Sequence, residues 1–129
     1  MVLVYALDVS ALPEIHTRRI LDVVNLNFPP AISKLDYSYG VLCQDRGMVL
    51  GVALVNQVEN KHVLEKLCVV HSSRCRGLGT EIVDMVKEQI GSCTLEVKVG
   101  GNKDLREFFA KRAFVGNEHM TFVDATLSL

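Results

Sequence analysis

The first third of the chain carries a short apolar run, followed by apolar residues at helical spacing. Residues 2–7 are rich in β-forming side chains and predict a strand. Ser10 and Pro13 are typical of a helix start, and the helix that follows must stop at Pro29 and Pro30. Residues 31–39, whose tip is polar and aromatic, fit either a short second helix or a loop.

Three apolar runs separated by short polar turns occupy the middle of the chain. They cover residues 41–43, 48–55 and 62–70, and the connections at 44–47 and 56–61 have the length of hairpin turns. This spacing predicts three consecutive strands in an antiparallel meander.

The apolar period becomes helical again in the second half of the chain. Residues 77–90 predict a helix whose apolar stripe is formed by Ile82, Val83, Val86 and Ile90. Residues 94–99 alternate strictly and predict a half-buried strand. Residues 102–112 predict a second amphipathic helix, whose apolar side uses Leu105, Phe108 and Phe109. One or two strands, at 114–115 and 119–123, complete the pattern.

The order of these elements indicates the fold class. A strand-helix-strand connection between residues 62 and 99 implies one parallel pair of strands. We therefore expect an α/β (α+β) fold with a mixed, largely antiparallel central sheet flanked by helices. The length of 129 residues predicts one domain, residues 1–129. A hydrophobic share of 49% is typical of globular proteins and argues against a disordered chain.

Charge and cysteine usage narrow the function classes. The net charge of -1 leaves no global basic field for a nucleic acid or an anionic membrane, so no partner of either kind is expected. The four cysteines form no C-x-x-C pair and the histidines are scattered, so no metal site is expected. No signal peptide or apolar run of about 20 residues is visible. The pattern favours a reduced, cytoplasmic protein.

Any anion site must therefore be local, and one segment has the composition for it. A predicted strand ends near Val70, and a glycine-containing turn with Gly77 and Gly79 opens the next helix. Helix N-termini expose unpaired N–H groups, and Arg74 and Arg76 add positive charge beside them. A purely structural turn explains a lone G-x-G equally well. The P-loop and dinucleotide motifs both fail, since the lysine and the third glycine are missing.

The full pattern is more specific. Leu67-x-Val69 followed by Arg74-Cys-Arg-Gly-Leu-Gly79 resembles the acetyl-CoA signature of the GNAT superfamily of N-acetyltransferases. The segment from Asn102 to Phe114 is similar to the family's Asn-x-x-Ala-x-x-x-Tyr-x-x-x-Gly-Phe helix. The resemblance implies a GNAT-like fold and acetyl-CoA bound between two splayed strands that end near Val70 and Val99.

The resemblance also implies which residues bind acetyl-CoA. Backbone groups of β-strand residues would bond the pantetheine arm, and amides of the glycine turn with Arg74 would hold the pyrophosphate. Asn102 would bond the pantetheine arm, although an N-cap role fits its position equally well. The implied set is Leu67, Cys68, Val69, Arg74, Cys75, Arg76, Gly77, Leu78, Gly79, Thr80 and Asn102.

Two carboxylates are candidates for the catalytic base. Glu65 lies two residues before Leu67, where several family members place a glutamate that faces the substrate; a solvated charge paired with Lys61 or Lys66 is the alternative. Glu96 resembles a glutamate of the protein N-terminal branch, and a surface ion pair with Lys98 is its alternative.

One position departs from the family pattern. The tyrosine that commonly protonates the CoA thiolate is replaced by Phe109, which cannot donate a proton. Either water, Tyr37, Tyr39 or His119 takes its place, or catalysis is slow.

The expected function is transfer of an acetyl group to a primary amine. The acceptor is open: residues 64–69 and 118–120 loosely resemble the branch that acetylates glucosamine 6-phosphate, whereas residues 95–98 favour a protein amine. Another small amine is also compatible. A non-catalytic acyl-CoA-binding protein is the alternative that Phe109 favours. Relatives are often dimers, so a homodimer is one expectation by analogy.

Overall fold

The structure is a computed structural model that describes residues 2–27, 31–70, 77–90, 93–99, 101–116 and 119–123. Within these ranges seven strands form one sheet in the order β1-β2-β3-β4-β5-β7-β6. The strands are β1 Val2–Leu7, β2 Tyr39–Asp45, β3 Met48–Val58, β4 Lys61–Val69, β5 Thr94–Lys98, β6 Val115–Gly116 and β7 His119–Val123. The α-helices are α1 Glu14–Asn27, α2 Leu78–Gln89 and α3 Lys103–Ala110, and a short 3-10 helix spans Val9–Ala11.

The strand pairing confirms the expected mixed sheet. Strands β1 to β4 form an antiparallel meander, and β4 pairs with β5 in parallel. Residues 31–38 contain no helix, which decides between the two alternatives for this segment. Pro29 and Pro30 lie outside the described residues. No helix in the described ranges is both long and apolar enough to span a membrane.

Helices cover both faces of the sheet. On one face α1 packs through Ile20, Val23 and Val24 against apolar residues of β2, β3 and β4. On the other face α2 contributes the predicted stripe, and Phe109 of α3 joins the same core. The predicted apolar side of α3 is wrong at Leu105, which is 39% exposed, because the short helix turns only Phe109 fully inward. We refer to these surfaces as the α1 face and the α2 face.

A β-bulge interrupts β4 at Glu65. Val55 of β3 pairs with Leu64, but the adjacent Leu54 pairs with Lys66, so Glu65 is the extra residue. A bulge of this kind shifts the alternation of side chains by one position. Leu64 therefore lies in the core of the α2 face, whereas Cys68, four residues later, lies in the core of the α1 face.

The pairing between β4 and β5 ends at the same place. Its four rungs run from Lys61–Thr94 to Leu64–Val97. Strand β4 continues to Val69 along β3, where Ala53 pairs with Leu67 and Gly51 with Val69. The bulge therefore marks the point at which β4 leaves its parallel neighbour.

Candidate functional site

The first turn of α2 begins without a side-chain cap. Gly77 occupies the N-cap position with φ 78° and ψ 7°, in the left-handed region that favours glycine. A Cβ built on Gly77 meets no described atom within 4 Å, so none of the described residues closes this turn. The first N–H groups of a helix lack acceptors within the helix and carry partial positive charge. The amides of Leu78, Gly79 and Thr80 are therefore suited to a phosphate group.

Gly79 lies between the end of β4 and the α3 helix. A Cβ built on Gly79 would lie 4.0 Å from Val69 Cγ2 and 3.3 Å from Phe108 Cζ. The missing side chain at Gly79 therefore makes room for the Phe108 ring. The same distances show that the open turn of α2 lies beside the end of β4.

Six further residues of the predicted acetyl-CoA site precede Gly77, three in β4 and three in the segment that follows it. Leu67, Cys68 and Val69 form the end of β4, beyond its last rung with β5. Cys68 is buried against α1, so its side chain packs in the core, and a ligand would meet its backbone. Arg74, Cys75 and Arg76 lie outside the described residues, and their role stays a prediction.

Asn102 has the N-cap role that its position suggested. Its side-chain oxygen accepts a hydrogen bond from the Leu105 backbone N–H at 3.1 Å. One of the two alternatives is therefore confirmed. The side-chain NH₂ group keeps its donors, so capping is compatible with a second contact to a ligand.

Arg112 lies near this turn, although it is not among the residues that the sequence predicts for the site. Its Nε donates to Thr80 Oγ1 at 3.0 Å, and its guanidinium stacks 3.6 Å from the centroid of the Phe108 ring. Its Nη1 also donates to the Phe108 carbonyl at 2.5 Å. The side chain thus ties α3 to the first turn of α2 and brings a positive charge to it. Arg112 and Thr80 are 32 positions apart, and no local motif signals their contact.

Glu65 lines an open cleft on the α1 face. The cleft has a volume of about 550 Å³ and is bounded by β3, β4 and the segment that follows α1. Its described lining residues are Ala31, Ile32, Ser33, Lys34, Asp36, Tyr37, Asn56 and Glu65. We call it the Glu65 cleft. Since Glu65 is the bulged residue, the cleft meets β4 where β4 and β5 stop pairing.

Glu96 lies on the α1 face of β5, with Leu95 and Val97 buried on the opposite face. The prediction that Glu96 pairs with Lys98 is wrong. Glu96 Oε2 lies 3.2 Å from Lys61 Nζ, and Glu96 Oε1 lies 3.2 Å from His119 Nδ1. Both partners come from neighbouring strands. The hydrogen bond from Lys61, followed by that from His119, lowers the pKa of Glu96 below its usual range.

The three candidate proton donors occupy different places. Tyr39 Oη lies 2.8 Å from Nδ1 of the buried His62, in contact with the core of the α2 face, away from the Glu65 cleft. Burial raises the pKa of Tyr39 and lowers that of His62. Tyr37 lines the cleft, and His119 pairs in register with Lys98, just past the last β4–β5 rung. Tyr37 and His119 are therefore the two that lie near the point where the strands part.

Phe109 is a core residue in the position of the family tyrosine. Its ring is 1% exposed and packs edge-on against Phe108 and Phe114, at centroid distances of 5.0 and 5.1 Å. This aromatic cluster joins α3 to the final strands. It supplies no proton donor.

Comparison with known families identifies the domain. Residues 31–127 match the model of the acetyltransferase (GNAT) domain. A comparison of the sequence with curated proteins finds no match.

Solved structures share the fold at low sequence identity. An acyl-CoA N-acyltransferase from Pseudomonas aeruginosa superposes with a TM-score of 0.76 and 11% identity, over 94% of this chain and 97% of that one. The N-acetyl transferase YhhK from E. coli, bound to coenzyme A, gives 0.72 and 14%, over 96% and 99%. The ribosomal-protein-S18-alanine N-acetyltransferase from E. coli gives 0.77 and 13%, over 95% and 94%. Because the family model covers residues 31–127, most of the sequence, this chain belongs to the GNAT acetyltransferase family.

Proposed function

We propose that this chain transfers the acetyl group of acetyl-CoA to a primary amine. The observation that supports this most strongly is the parting of β4 and β5 after Leu64 and Val97. The stretch of β4 from Glu65 to Val69 spans about 13 Å at the usual rise of a strand. It leads from the Glu65 cleft to the open first turn of α2, so an extended donor molecule can lie along it.

Each part of this path suits a different part of acetyl-CoA. The amides of Leu78, Gly79 and Thr80 would hold the pyrophosphate, with Arg74 and Arg76 beside them. The backbone of Leu67, Cys68 and Val69 would bond the pantetheine arm, with Asn102 as a further donor. The turn at Gly77 is compatible with this placement, because no described residue approaches the Cβ position of Gly77.

Acetyl-CoA would supply a thioester whose carbonyl carbon accepts the amine. The acceptor must first lose a proton, because an ammonium group has no lone pair. As the C–N bond forms and the C–S bond breaks, the nitrogen gives up a second proton and the sulfur leaves as a thiolate, which takes up one. The products are the N-acetyl amine and CoA thiol.

Glu65 is the better candidate for the base. It is exposed in the cleft at the point where β4 and β5 part. Glu96 is held by Lys61 and His119, and its lowered pKa makes it a weaker base. We assign Glu96 the role of orienting His119 through Nδ1 and assign Glu65 the proton transfer, which contributes about 10²–10⁴-fold in enzymes of known mechanism.

A non-catalytic acyl-CoA-binding protein is the second candidate. The observation that favours it is Phe109, which replaces the expected proton donor and is buried among other rings. Under this alternative the donor site would be retained and the acceptor chemistry lost. The single domain over residues 1–129, the cytoplasmic location and the homodimer stay predictions.

Two measurements on the same protein separate these functions. Acetyl-CoA should raise the melting temperature, and an amine should cause release of free thiol. A rise in melting temperature without thiol release from any aminosugar, polyamine or peptide supports the non-catalytic alternative. No rise at all contradicts both functions.

A further inference from the structure

The wall of the Glu65 cleft opposite β4 is the segment from Ala31 to Ser38, and hydrogen bonds fasten it at both ends. At one end the Asn25 side chain of α1 donates to the Ile32 carbonyl and accepts from the Ile32 N–H, both at 2.9 Å. At the other end the Ser38 N–H donates to Asn56 Oδ1 at 3.1 Å, and Ser38 Oγ accepts from the Gln57 N–H at 2.8 Å. These four hydrogen bonds join the wall to α1 and to β3.

Negative charges outnumber positive charges among the described residues that line this cleft. Its described lining holds two carboxylates, Asp36 and Glu65, against one ammonium, Lys34. Tyr37 lines the same cleft as both carboxylates, and its pKa is raised by burial first, and then by the charges of Glu65 and Asp36. Both negative charges therefore act on the same phenol.

Two carboxylates and an aromatic ring in one cleft favour the binding of a cation. A carboxylate attracts an ammonium group, and the face of an aromatic ring attracts it further when both lie on one surface. A phosphate would face two carboxylates and one ammonium, so the net negative charge of the described lining disfavours an aminosugar phosphate. A volume of about 550 Å³ lies within the range of small-molecule sites, roughly 300–1,000 Å³.

We propose that the acceptor is a small aliphatic amine with a second positive charge, and that Asp36 and Tyr37 bind this second charge while the reacting amine lies at Glu65. This inference rests on the acetyl transfer proposed above. It adds the class of acceptor and makes Asp36 a residue that determines specificity.

A matched series of five-carbon amines tests the proposal directly. Cadaverine carries a second ammonium, pentylamine a methyl end, aminopentanol a hydroxyl and aminopentanoate a carboxylate. We expect kcat/KM for cadaverine to exceed that for pentylamine and aminopentanol by about tenfold, the size of one exposed ion pair plus one cation–π contact. Aminopentanoate should be the poorest acceptor. The ratio of cadaverine to pentylamine should fall as ionic strength rises to about 0.5 M.

Substitutions at Asp36 should change this order in a defined way. Asp36→Asn should lower the cadaverine-to-pentylamine ratio toward one, and Asp36→Lys should favour aminopentanoate over cadaverine. Asp36 is exposed, so neither change disturbs the core. Glu88→Gln is the matched control, because it removes one negative charge from an exposed position of α2, on the opposite face of the sheet. It should leave the ratio unchanged.

The outcomes of these experiments test the acceptor class separately from acetyl transfer itself. If acetyl-CoA binds and pentylamine or aminopentanol reacts as well as cadaverine, the acceptor class is overturned and acetyl transfer stands. If Asp36→Asn keeps the full preference for cadaverine, the role of Asp36 is overturned. If acetyl-CoA binds without turnover of any of the four amines, calorimetry on the CoA-loaded protein must give the same order of binding; equal binding overturns the proposal.

Discussion

Arg112 Nε donates a hydrogen bond to Thr80 Oγ1 over 3.0 Å, and this bond ties the end of α3 to the first turn of α2. The first turn is also the proposed pyrophosphate site. The same guanidinium stacks on Phe108, whose ring occupies the space left by the missing Cβ of Gly79. The position of the amides that we propose as the pyrophosphate site thus depends on a side chain far away in the sequence.

Arg112→Ala should lower both stability and affinity for acetyl-CoA. A hydrogen bond to a charged group is worth about 1.5–3 kcal/mol, and Arg112 is half-buried, so we expect a loss near the lower limit. Urea unfolding measures it. Arg18→Ala is the control, since Arg18 pairs with Glu14 on the exposed side of α1 at 3.4 Å and such pairs contribute about 0.3–0.5 kcal/mol. If both variants lose the same free energy of unfolding, the Arg112–Thr80 contact contributes no more to stability than an exposed ion pair.

A matched pair at Gly77 should separate ligand binding from folding. Asn and Asp both tolerate the left-handed conformation of this position, so Gly77→Asn and Gly77→Asp should melt at similar temperatures. An aspartate even favours a helix N-terminus, because its charge opposes the partial positive charge there. The same charge would repel a pyrophosphate.

Acetyl-CoA should therefore stabilise Gly77→Asn and fail to stabilise Gly77→Asp. Thermal melting with and without acetyl-CoA measures the difference. Equal stabilisation of the two variants would mean that the pyrophosphate lies elsewhere.

Glu65→Gln should lower kcat by about 10²–10⁴-fold while acetyl-CoA still raises the melting temperature. The amide keeps the size of the side chain but cannot accept the amine proton. Glu96→Gln should cost less, because it breaks the contacts to Lys61 and His119 and leaves Glu65 in place. Rates of thiol release at saturating acetyl-CoA give the comparison. A larger loss in Glu96→Gln than in Glu65→Gln would exchange the two assignments.

The buried His62 should make stability fall in mildly acidic solution. Burial lowers the pKa of His62 in the folded protein, whereas the unfolded chain takes up a proton near the ordinary value of about 6.5. Between these two values the unfolded state binds more protons, so its free energy drops as the pH falls. The stability conferred by neutral His62 is complete above pH 6.5 and decreases below it.

The slope for one such group is at most about 1.4 kcal/mol per pH unit. Urea unfolding from pH 7.5 down to 5.5 should show this decrease in the native protein and a smaller one in His62→Gln. The variant lacks the titrating ring, whatever its stability at neutral pH. Glu96 does not interfere, since its pKa is lowered and its effect appears in more acidic solution. Parallel curves for the two proteins would show that His62 does not titrate on unfolding.

The sequence predicted most of the fold, because apolar period alone distinguishes its helices from its strands. The strand 94–99 and the stripe of α2 are examples in which burial follows the predicted alternation. The bulge at Glu65 could not be predicted in this way. The side chains of residues 62–70 do not indicate which residue of β3 each of them pairs with. The bulge becomes visible only in the pairing of β4 with β3.

The parting of β4 and β5 was expected only from the family resemblance, and the residues themselves predicted the candidate site only where it is local in sequence. The glycine turn and the Asn102 cap are short motifs and could be recognised as such. Contacts between strands that are distant in the sequence could not be predicted. Glu96 contacts Lys61 and His119 because β4, β5 and β7 are neighbours in the sheet.

Amine-dependent release of CoA thiol, measured together with the mass of the amine product, tests acetyl transfer most directly. With saturating acetyl-CoA and cadaverine we expect one N-acetyl group per thiol released, and loss of both in Gly77→Asp. At about a hundredfold excess over Kd, acetyl-CoA should also stabilise the native protein by about 2.7 kcal/mol. The absence of this stabilisation, or thiol release with no acetylated amine, would contradict the proposed function.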